Sequence, residues 1–171
     1  ALAGNPLLIN LDWLASEGDV DPDDLAEAPD FPDDVVDFGP VISFKTAVLH
    51  RAARRFRKNA DDKRKAAFDA YCTENVDWLE DFALFMALKD AHGGAVWNTW
   101  ERGLVTRQPD VIAEWRAKLD EAIYSQRYLQ YQFFRQWENL KTYANDKGIK
   151  IIGDIPIFVA YDSVDVWANP D

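Results

Sequence analysis

The sequence predicts an α/β fold, of which this chain holds mostly the helical part. Over most of the 171 residues, apolar side chains recur at the i, i+3, i+4 spacing of amphipathic helices. Residues 150–159 differ, because an apolar, β-branched run is typical of a strand buried on both faces. This run follows the longest predicted helix after a two-residue connection, and helix, glycine, strand is half of a βαβ unit. One parallel strand cannot form a sheet, so we expect the other strands to lie outside these residues.

The first 40 residues predict little regular structure. Asn10 is expected to cap a short helix through Ser16, which Gly18 ends. Residues 19–41 are rich in Asp and Pro and predict an ordered loop with one helical turn. Eleven acids and no Lys or Arg lie in these 40 residues, which leaves nineteen of each sign in the other 131. The excess indicates a solvated acidic surface, because the Asp-x-Asp-x-Asp-Gly spacing of an EF-hand calcium loop is absent.

Three helices are predicted in the middle of the chain, each behind a capping residue. They cover about residues 43–59, 61–73 and 76–89, after Ser43, Asp61 and Asn75. The third is apolar almost all round and so must be buried. Gly93 and Gly94 end it, and residues 96–100 predict a short turn whose two Trp side chains dock on the core.

Pro109, at a first helical position, opens the longest predicted helix, which covers about residues 110–147 and is closed by Gly148. The second half of this helix is the aromatic centre of the chain. One helical face carries Phe133, Trp137, Leu140 and Ala144. We interpret this face as core, with a stacking platform for sugar rings as the alternative.

Asp154 interrupts the apolar run of the predicted strand. In α/β barrels the carboxyl ends of the strands are where active sites are built, so Asp154 is a candidate acid or base. The structural alternative is that Asp154 caps a turn or pairs with a buried Arg.

Composition excludes several classes of protein. An apolar content of 48% argues against disorder, and a net charge of −11 argues against nucleic-acid binding through a basic face. The lone Cys72 rules out an internal disulfide and fits a reducing, cytoplasmic location. It is interpreted as a small buried or half-buried residue rather than a nucleophile. No apolar run is long enough for a membrane span, and no signal peptide opens the chain. Because the chain begins at Ala1 without Met, we expect the natural N-terminus upstream.

Four blocks of sequence carry a family resemblance. They are residues 3–9 (AGNPLLI), residues 31–45 with FP, VDFG and Lys45, residues 78–100 with WLEDFALFMALK, HGG and two Trp, and residues 133–170 with FFRQW, IIGDIPIFVA, DS and DVWANP. A GNP tripeptide alone would carry no weight, but the last block is highly specific and all four stand in family order. On these residues the chain resembles the amylomaltase family of 4-α-glucanotransferases, also called disproportionating enzymes.

The resemblance implies a (β/α)8 TIM barrel of the α-amylase type with helical insertions. It implies cleavage of α-1,4-glucans, such as maltooligosaccharides, glycogen or starch, and transfer of the released segment to another glucan or to glucose. The mechanism would be retaining, with a carboxylate nucleophile and a second carboxyl group that serves as acid and then base. No metal, organic cofactor, nucleic acid or membrane is expected to take part.

The resemblance also divides the chain. We expect an acidic loop-rich segment with short helices at residues 1–42, a helical insertion subdomain at residues 43–107, and a long barrel helix, barrel strand and the start of its C-terminal loop at residues 108–171. The chain is then an N-terminal-half fragment. In isolation it is expected to lack transferase activity. Its residues 150–171 are expected to be partly exposed, re-packed, or paired with a second copy through the unpaired strand.

No catalytic residue is assigned within the chain, because the family's three catalytic segments do not occur in it. Glu80 and Asp81 resemble a catalytic pair only superficially and lie inside a predicted helix. The resemblance implies that Asp154, on the third barrel strand, hydrogen-bonds a glucose unit near the scissile bond. It makes Asp162 and Ser163 further substrate-binding candidates, with positioning of their loop as the alternative.

The roles of two other positions stay open, as do two alternative classes of function. Asn5 either shapes the site entrance or simply forms a turn with the following Pro. Family members often present aromatic side chains near Ile42, and its aliphatic side chain argues against an auxiliary sugar platform there. The alternative functions are a non-catalytic helical interaction module and a glucan-binding module without catalysis.

Overall fold

Every regular element is helical in the computed structural model, which describes residues 2–154 and 157–169. The α-helices are α1 (Leu11–Ser16), α2 (Pro22–Ala26), α3 (Phe38–Asn59), α4 (Asp62–Glu74), α5 (Val76–Ala91), α6 (Arg102–Val105), α7 (Pro109–Lys118), α8 (Asp120–Asp146) and α9 (Val164–Ala168). Single 3-10 turns lie at Pro6–Leu8 and Trp97–Thr99.

Side-chain caps explain where several helices begin. The Oδ1 atom of Asn10 accepts a hydrogen bond of 3.0 Å from the Trp13 N–H, and Asp61 Oδ1 accepts one of 2.8 Å from the Arg64 N–H. Each bond satisfies an amide that has no partner within its helix. The predicted starts of α1 and α4 are confirmed, as is the single turn, α2, in the acidic loop.

The predicted start of α3 at Ser43 is wrong. The helix begins five residues earlier, at Phe38, behind Asp37, whose Oδ1 accepts a hydrogen bond of 3.2 Å from the Gly39 N–H. Pro40 does not prevent this, because the first turn of a helix has no use for the N–H that proline lacks. Ser43 therefore lies inside the helix.

The long helix predicted over residues 110–147 is divided at Leu119, which leaves helical geometry with φ −105° and ψ 19°. Hydrogen bonds still bridge the division, because the Leu119 N–H donates to the Trp115 carbonyl and the Ile123 N–H to the Leu119 carbonyl, both at 2.9 Å. The result is a junction between α7 and α8 without a loop. The predicted C-terminal glycine is confirmed, since Gly148 has φ +76° and follows α8.

The strand predicted over residues 150–159 is not formed in the described part of that range, and Ile155 and Pro156 fall outside the described residues. The side chains of Ile152 and Phe158 are 92% and 89% exposed. A strand needs the backbone of a neighbouring strand for its hydrogen bonds, and the described residues contain none. Residues 150–154 and 157–159 are instead a largely exposed apolar segment without regular secondary structure.

Two short helices, α6 and α9, are missing from the sequence-based description because four or five residues show no periodicity. Ser163 caps α9, and the side chain of Trp167 in α9 is fully buried. Its indole N–H donates to the Leu104 carbonyl at 2.9 Å, and its ring lies against those of Phe85 and Trp100. Trp167 therefore has packing partners within the described chain.

Helix α8 contributes to two apolar cores. The first joins the N-terminal segment to α3, α4 and α8 through the side chains Ile9, Leu14, Val48, Leu49, Phe56, Phe68, Tyr128 and Leu129. The second lies around α5 and holds Leu84, Phe85, Leu88, Trp97, Trp100, Leu104, Ile123 and Trp167. The turn at residues 96–100 docks both of its Trp rings on this second core, as predicted.

The aromatic face of α8 is core only in part. Ala144 is buried and Phe133 is half-buried, whereas Trp137 and Leu140 are exposed. The interpretation of this face as core is therefore wrong for Trp137 and Leu140 and correct for Ala144.

Candidate functional site

A cleft of about 530 Å³ lies between the start of the chain, helix α5 and the segment that leads into α9. Its apolar wall includes Trp78, Phe82 and Met86 of α5, and its polar rim holds Asp162, Ser163 and Asp165. Aromatic rings beside a few carboxylates and a hydroxyl group are a lining suited to a small polar ligand. Two of the three predicted site residues, Asp162 and Ser163, meet at this cleft.

Asp162 is held by the end of α5. One carboxylate oxygen lies 2.6 Å from Lys89 Nζ, and the other accepts a hydrogen bond of 3.3 Å from the Trp97 N–H. The same ammonium group donates to the carbonyls of Gly94 and Ala95. The hydrogen bond from Lys89 is the main reason that the pKa of Asp162 lies below its ordinary value. An ionised Asp162 can therefore only accept hydrogen bonds at the rim of the cleft.

Ser163 and Asp154 differ in their surroundings. The Ser163 hydroxyl oxygen accepts a hydrogen bond of 3.4 Å from the Val166 N–H and so begins α9. Its own O–H can still donate to a ligand. Asp154 lies on the exposed apolar segment and is not among the described residues that line the cleft. The structure therefore does not bring Asp154 together with Asp162 and Ser163.

Leu2 and Ala3 also line the cleft, and they stand at the start of a segment that contacts α8. The amide of Gln130 accepts from the Gly4 N–H at 2.8 Å and donates to the Gly4 carbonyl at 3.1 Å. The amide of Gln136 makes the same pair of bonds with the backbone of Asn10, at 2.7 and 3.1 Å. These two glutamines attach the segment to the helix at both of its ends.

Lys45 of α3 holds the middle of the same segment. Its Nζ donates to the carbonyls of Leu7 and Ile9, both at 2.7 Å. Burial lowers the pKa of Lys45, since the charged form loses solvation. Asn5 forms a turn, as the structural alternative predicts, because its Oδ1 caps Pro6–Leu8 by accepting from the Leu7 N–H at 3.0 Å.

Glu80 and Asp81 on α5 are engaged by arginines. Glu80 lies 2.5 Å from a guanidinium nitrogen of Arg127 and 3.1 Å from one of Arg116. Asp81 lies 2.7 Å from Arg107. Carboxylates held in this way link α5 to its neighbouring helices, which agrees with the structural interpretation of this pair.

Gln130 and Lys45 are the positions that sequence reasoning missed as contributors to this region. A weak signal existed for Gln130, because an amide on an otherwise aromatic stretch of a buried helix needs a partner. No signal in the sequence could show that this partner is the backbone of a residue 126 positions earlier. Among the described residues, no group of His, Cys, Asp or Glu side chains could hold a metal ion, and no helix is long and apolar enough to span a membrane.

Comparison with known proteins decides the family. A sequence profile described as 4-alpha-glucanotransferase matches residues 1–171, the whole chain. The chain belongs to this 4-alpha-glucanotransferase family. The resemblance drawn from the four sequence blocks is thereby confirmed.

Relatives and a solved structure show how much of a family member is present. The chain is 44% identical to the 4-alpha-glucanotransferase of Synechocystis sp. and 45% identical to that of Thermus thermophilus, and it covers 34% and 33% of those proteins. The amylomaltase from Streptococcus agalactiae in complex with acarbose matches with a TM-score of 0.91 and 39% identity, over 99% of this chain and 34% of that one. The chain thus spans about a third of the length of the relatives it matches.

Proposed function

We propose that this chain is part of a 4-α-glucanotransferase that cleaves α-1,4-glucans and transfers the released segment to another glucan or to glucose. The observation that carries the proposal is the family match over all 171 residues, at about a third of the length of the matched relatives. The similar amylomaltase structure is a complex with acarbose, which supports a carbohydrate ligand here as well. The family match does not favour a non-catalytic helical module.

The reaction proposed for the longer protein is a retaining double displacement. One carboxylate attacks the anomeric carbon while a carboxyl group protonates the leaving oxygen, and the same group later activates the acceptor hydroxyl. The engagement of Glu80 and Asp81 by arginines supports placing both catalytic carboxyl groups outside this chain. The mechanism needs no metal or organic cofactor.

Within the chain, we propose that Asp154, Asp162 and Ser163 contribute to substrate binding. Ser163 offers a hydroxyl donor, and the ionised Asp162 offers an acceptor, at the rim of one cleft. Asp162 also ties its segment to Lys89, so part of its contribution is to hold Ser163 in place. Asp154 is proposed to contact a glucose unit once the apolar segment has joined a sheet.

The fold proposed for the longer protein is a (β/α)8 barrel in which residues 150–159 form the third strand. The exposed β-branched side chains of this segment support the proposal, because they are suited to burial between neighbouring strands. The division into residues 1–42, 43–107 and 108–171 is proposed on the same basis.

In the isolated chain the same apolar segment is proposed to pair with a second copy, since unpaired extended edges recruit partners. Size-exclusion chromatography with light scattering tests this, and a clean monomer at high concentration contradicts it. A cytoplasmic location is proposed from the single, half-buried Cys72.

Disproportionation of maltotriose tests the enzymatic proposal. The longer protein should convert maltotriose into glucose and longer maltooligosaccharides, and the purified 171-residue chain should not. Turnover by the 171-residue chain would place catalytic groups within it and overturn their assignment elsewhere. If the longer protein binds maltooligosaccharides, as followed by Trp fluorescence, but never turns them over, it is a glucan-binding module instead.

A further inference from the structure

Two glutamines of α8 bind the N-terminal segment with one geometry but at different distances from the cleft. Gln130 pairs with the backbone of Gly4, and Gln136 pairs with the backbone of Asn10, six residues on in each case. Each amide satisfies one N–H and one carbonyl of a segment that joins no sheet. The two pairs are therefore a natural comparison within one protein.

The position of Gly4 is defined more tightly than hydrogen bonds alone would require. Gln130 is fully buried, and a buried amide is costly unless both of its ends are paired. A Cβ atom on Gly4 would lie 1.9 Å from the ring of Phe133, so the Gly4 backbone rests directly on that ring. The paired amide of Gln130 and the contact with the Phe133 ring together fix the position of Gly4 on α8.

The two residues that precede Gly4 in the sequence line the cleft, so the position of Gly4 affects where they lie. Leu2 and Ala3 line the same cleft as Asp162 and Ser163. Asn10 and Gln136 do not line it, and they lie at a separate groove beside Trp13 and Trp137. A shift of Gly4 along or away from α8 therefore changes the width of the cleft, whereas a shift of Asn10 does not.

We propose that Gln130 is a positioning residue for glucan binding, acting through Gly4 on the Leu2–Ala3 wall of the cleft. The inference rests on the proposed function, and it adds a role for a side chain that touches no substrate. Gln136 supports the same segment but has no such role. Its contribution is to stability alone.

The test is a comparison of Gln130→Leu with Gln136→Leu in the longer, active protein. Each substitution removes two hydrogen bonds of the same kind, so both should lower the midpoint of thermal unfolding. Only Gln130→Leu is expected to lower kcat/KM for maltotriose, by about tenfold or more and mainly through a higher KM, because a misplacement of about 1 Å in a site can cost up to a hundredfold. Assays are run well below both unfolding midpoints.

Two further variants keep the proposal falsifiable if Gln130→Leu does not fold. Gly4→Ala displaces the same wall by contact with Phe133 and should reproduce the rise in KM. Gln130→Glu keeps the acceptor for the Gly4 N–H but sets a buried carboxylate oxygen against the Gly4 carbonyl, so it should also raise KM.

The outcomes separate the two proposals. The inference is overturned if Gln130→Leu and Gln136→Leu change KM equally, or if Gly4→Ala folds and leaves KM unchanged. A wild-type protein that shows no disproportionation contradicts the proposed function itself, and the inference fails with it.

Discussion

The buried carboxylate of Asp19 accepts a hydrogen bond of 2.8 Å from the hydroxyl of Tyr128, a residue 109 positions later in the chain. The same carboxylate lies 2.6 Å from a guanidinium nitrogen of Arg64 on α4. Desolvation is the largest influence on Asp19 and raises its pKa, while the bonds from Arg64 and Tyr128 act against it. One side chain in the acidic N-terminal region thus joins α4 and α8.

Replacing Asp19 by Ala should strongly destabilise the chain. The substitution leaves the Tyr128 hydroxyl buried without its acceptor and Arg64 without its shortest partner. Removal of one member of a buried ion pair costs about 3 kcal/mol of unfolding free energy. Urea unfolding followed by Trp fluorescence measures the loss. The exposed Asp12 provides a matched control, since Asp12→Ala should cost about 0.5 kcal/mol or less. Equal losses of unfolding free energy in the two variants would show that the contacts of Asp19 add no more stability than an exposed aspartate does.

Glu17 should make the stability depend on pH in the acid range. The hydrogen bond from Arg135 is the first reason that the pKa of Glu17 lies below its ordinary value of 4.5, and Arg64 adds to it. A carboxyl group whose pKa is lower in the folded state stabilises that state above pH 4.5, and this stabilisation is lost as the pH falls through the folded pKa. Wild type should therefore exceed Glu17→Gln in unfolding free energy near pH 7, and the difference should shrink below about pH 4.5.

The Asp19 carboxyl titrates in both proteins, and the charge of Glu17 contributes to its raised pKa, so the difference between the two proteins reports on Glu17 together with this coupling to Asp19. The raised pKa of Asp19 has the opposite effect on stability from the lowered pKa of Glu17, because it stabilises the folded state as the pH falls. A difference that stayed constant from about pH 7 to pH 3 would contradict the predicted shift.

Trp167→Ala should destabilise the second core although Trp167 lies near the end of the described chain. The substitution removes a fully buried ring and its hydrogen bond to the Leu104 carbonyl. Large-to-small changes of buried aromatic residues cost about 3–5 kcal/mol. Chemical denaturation of the isolated chain measures this loss. Trp13, whose side chain is 46% exposed, is the control, and Trp13→Ala should cost clearly less. If the two variants unfold at the same denaturant concentration, α9 is not docked on α5.

Lys89→Met should remove the hydrogen bond that holds the carboxylate of Asp162 at the end of α5. Without the ammonium group, the pKa of Asp162 should rise toward its ordinary value of 3.8, because the hydrogen bond from Lys89 is its main perturbation. Titration of side-chain carboxyl carbons by NMR measures the shift directly. Amide exchange at residues 161–163 should also become faster. In the control, Lys141→Met, which removes only a surface pair with Glu138, the pKa of Asp162 should not move.

Local signals in the sequence predicted much of the helical content. Asn10, Asp61 and Gly148 each act through a bond or a backbone angle within a few residues, so their effects could be inferred without a structure. The start of α3 and the division at Leu119 were not predicted. A proline in a first turn and a one-residue departure from helical geometry leave the apolar periodicity unchanged.

The candidate site was predictable only in part. Asp162 and Ser163 were identified through their family block, and the structure places both at one cleft. Asp154 was identified from the strand pattern and from the same block, but it is not among the described residues that line the cleft, although Phe158, Val159 and Ala160 are. The contribution of Lys89 to Asp162 spans 73 positions and could not be inferred from spacing.

By itself the sequence determined the family, the helical character of most of the chain and the charge of its first 40 residues. Each of these depends on residue identity or on neighbours within a turn or two. Tertiary structure alone decided that two amides of α8 hold the N-terminal segment, that Asp19 joins α4 and α8, and that Trp167 is buried. The physical reason is that a buried polar group or ring must find its partner in space, and these partners lie 45 to 126 positions apart in sequence.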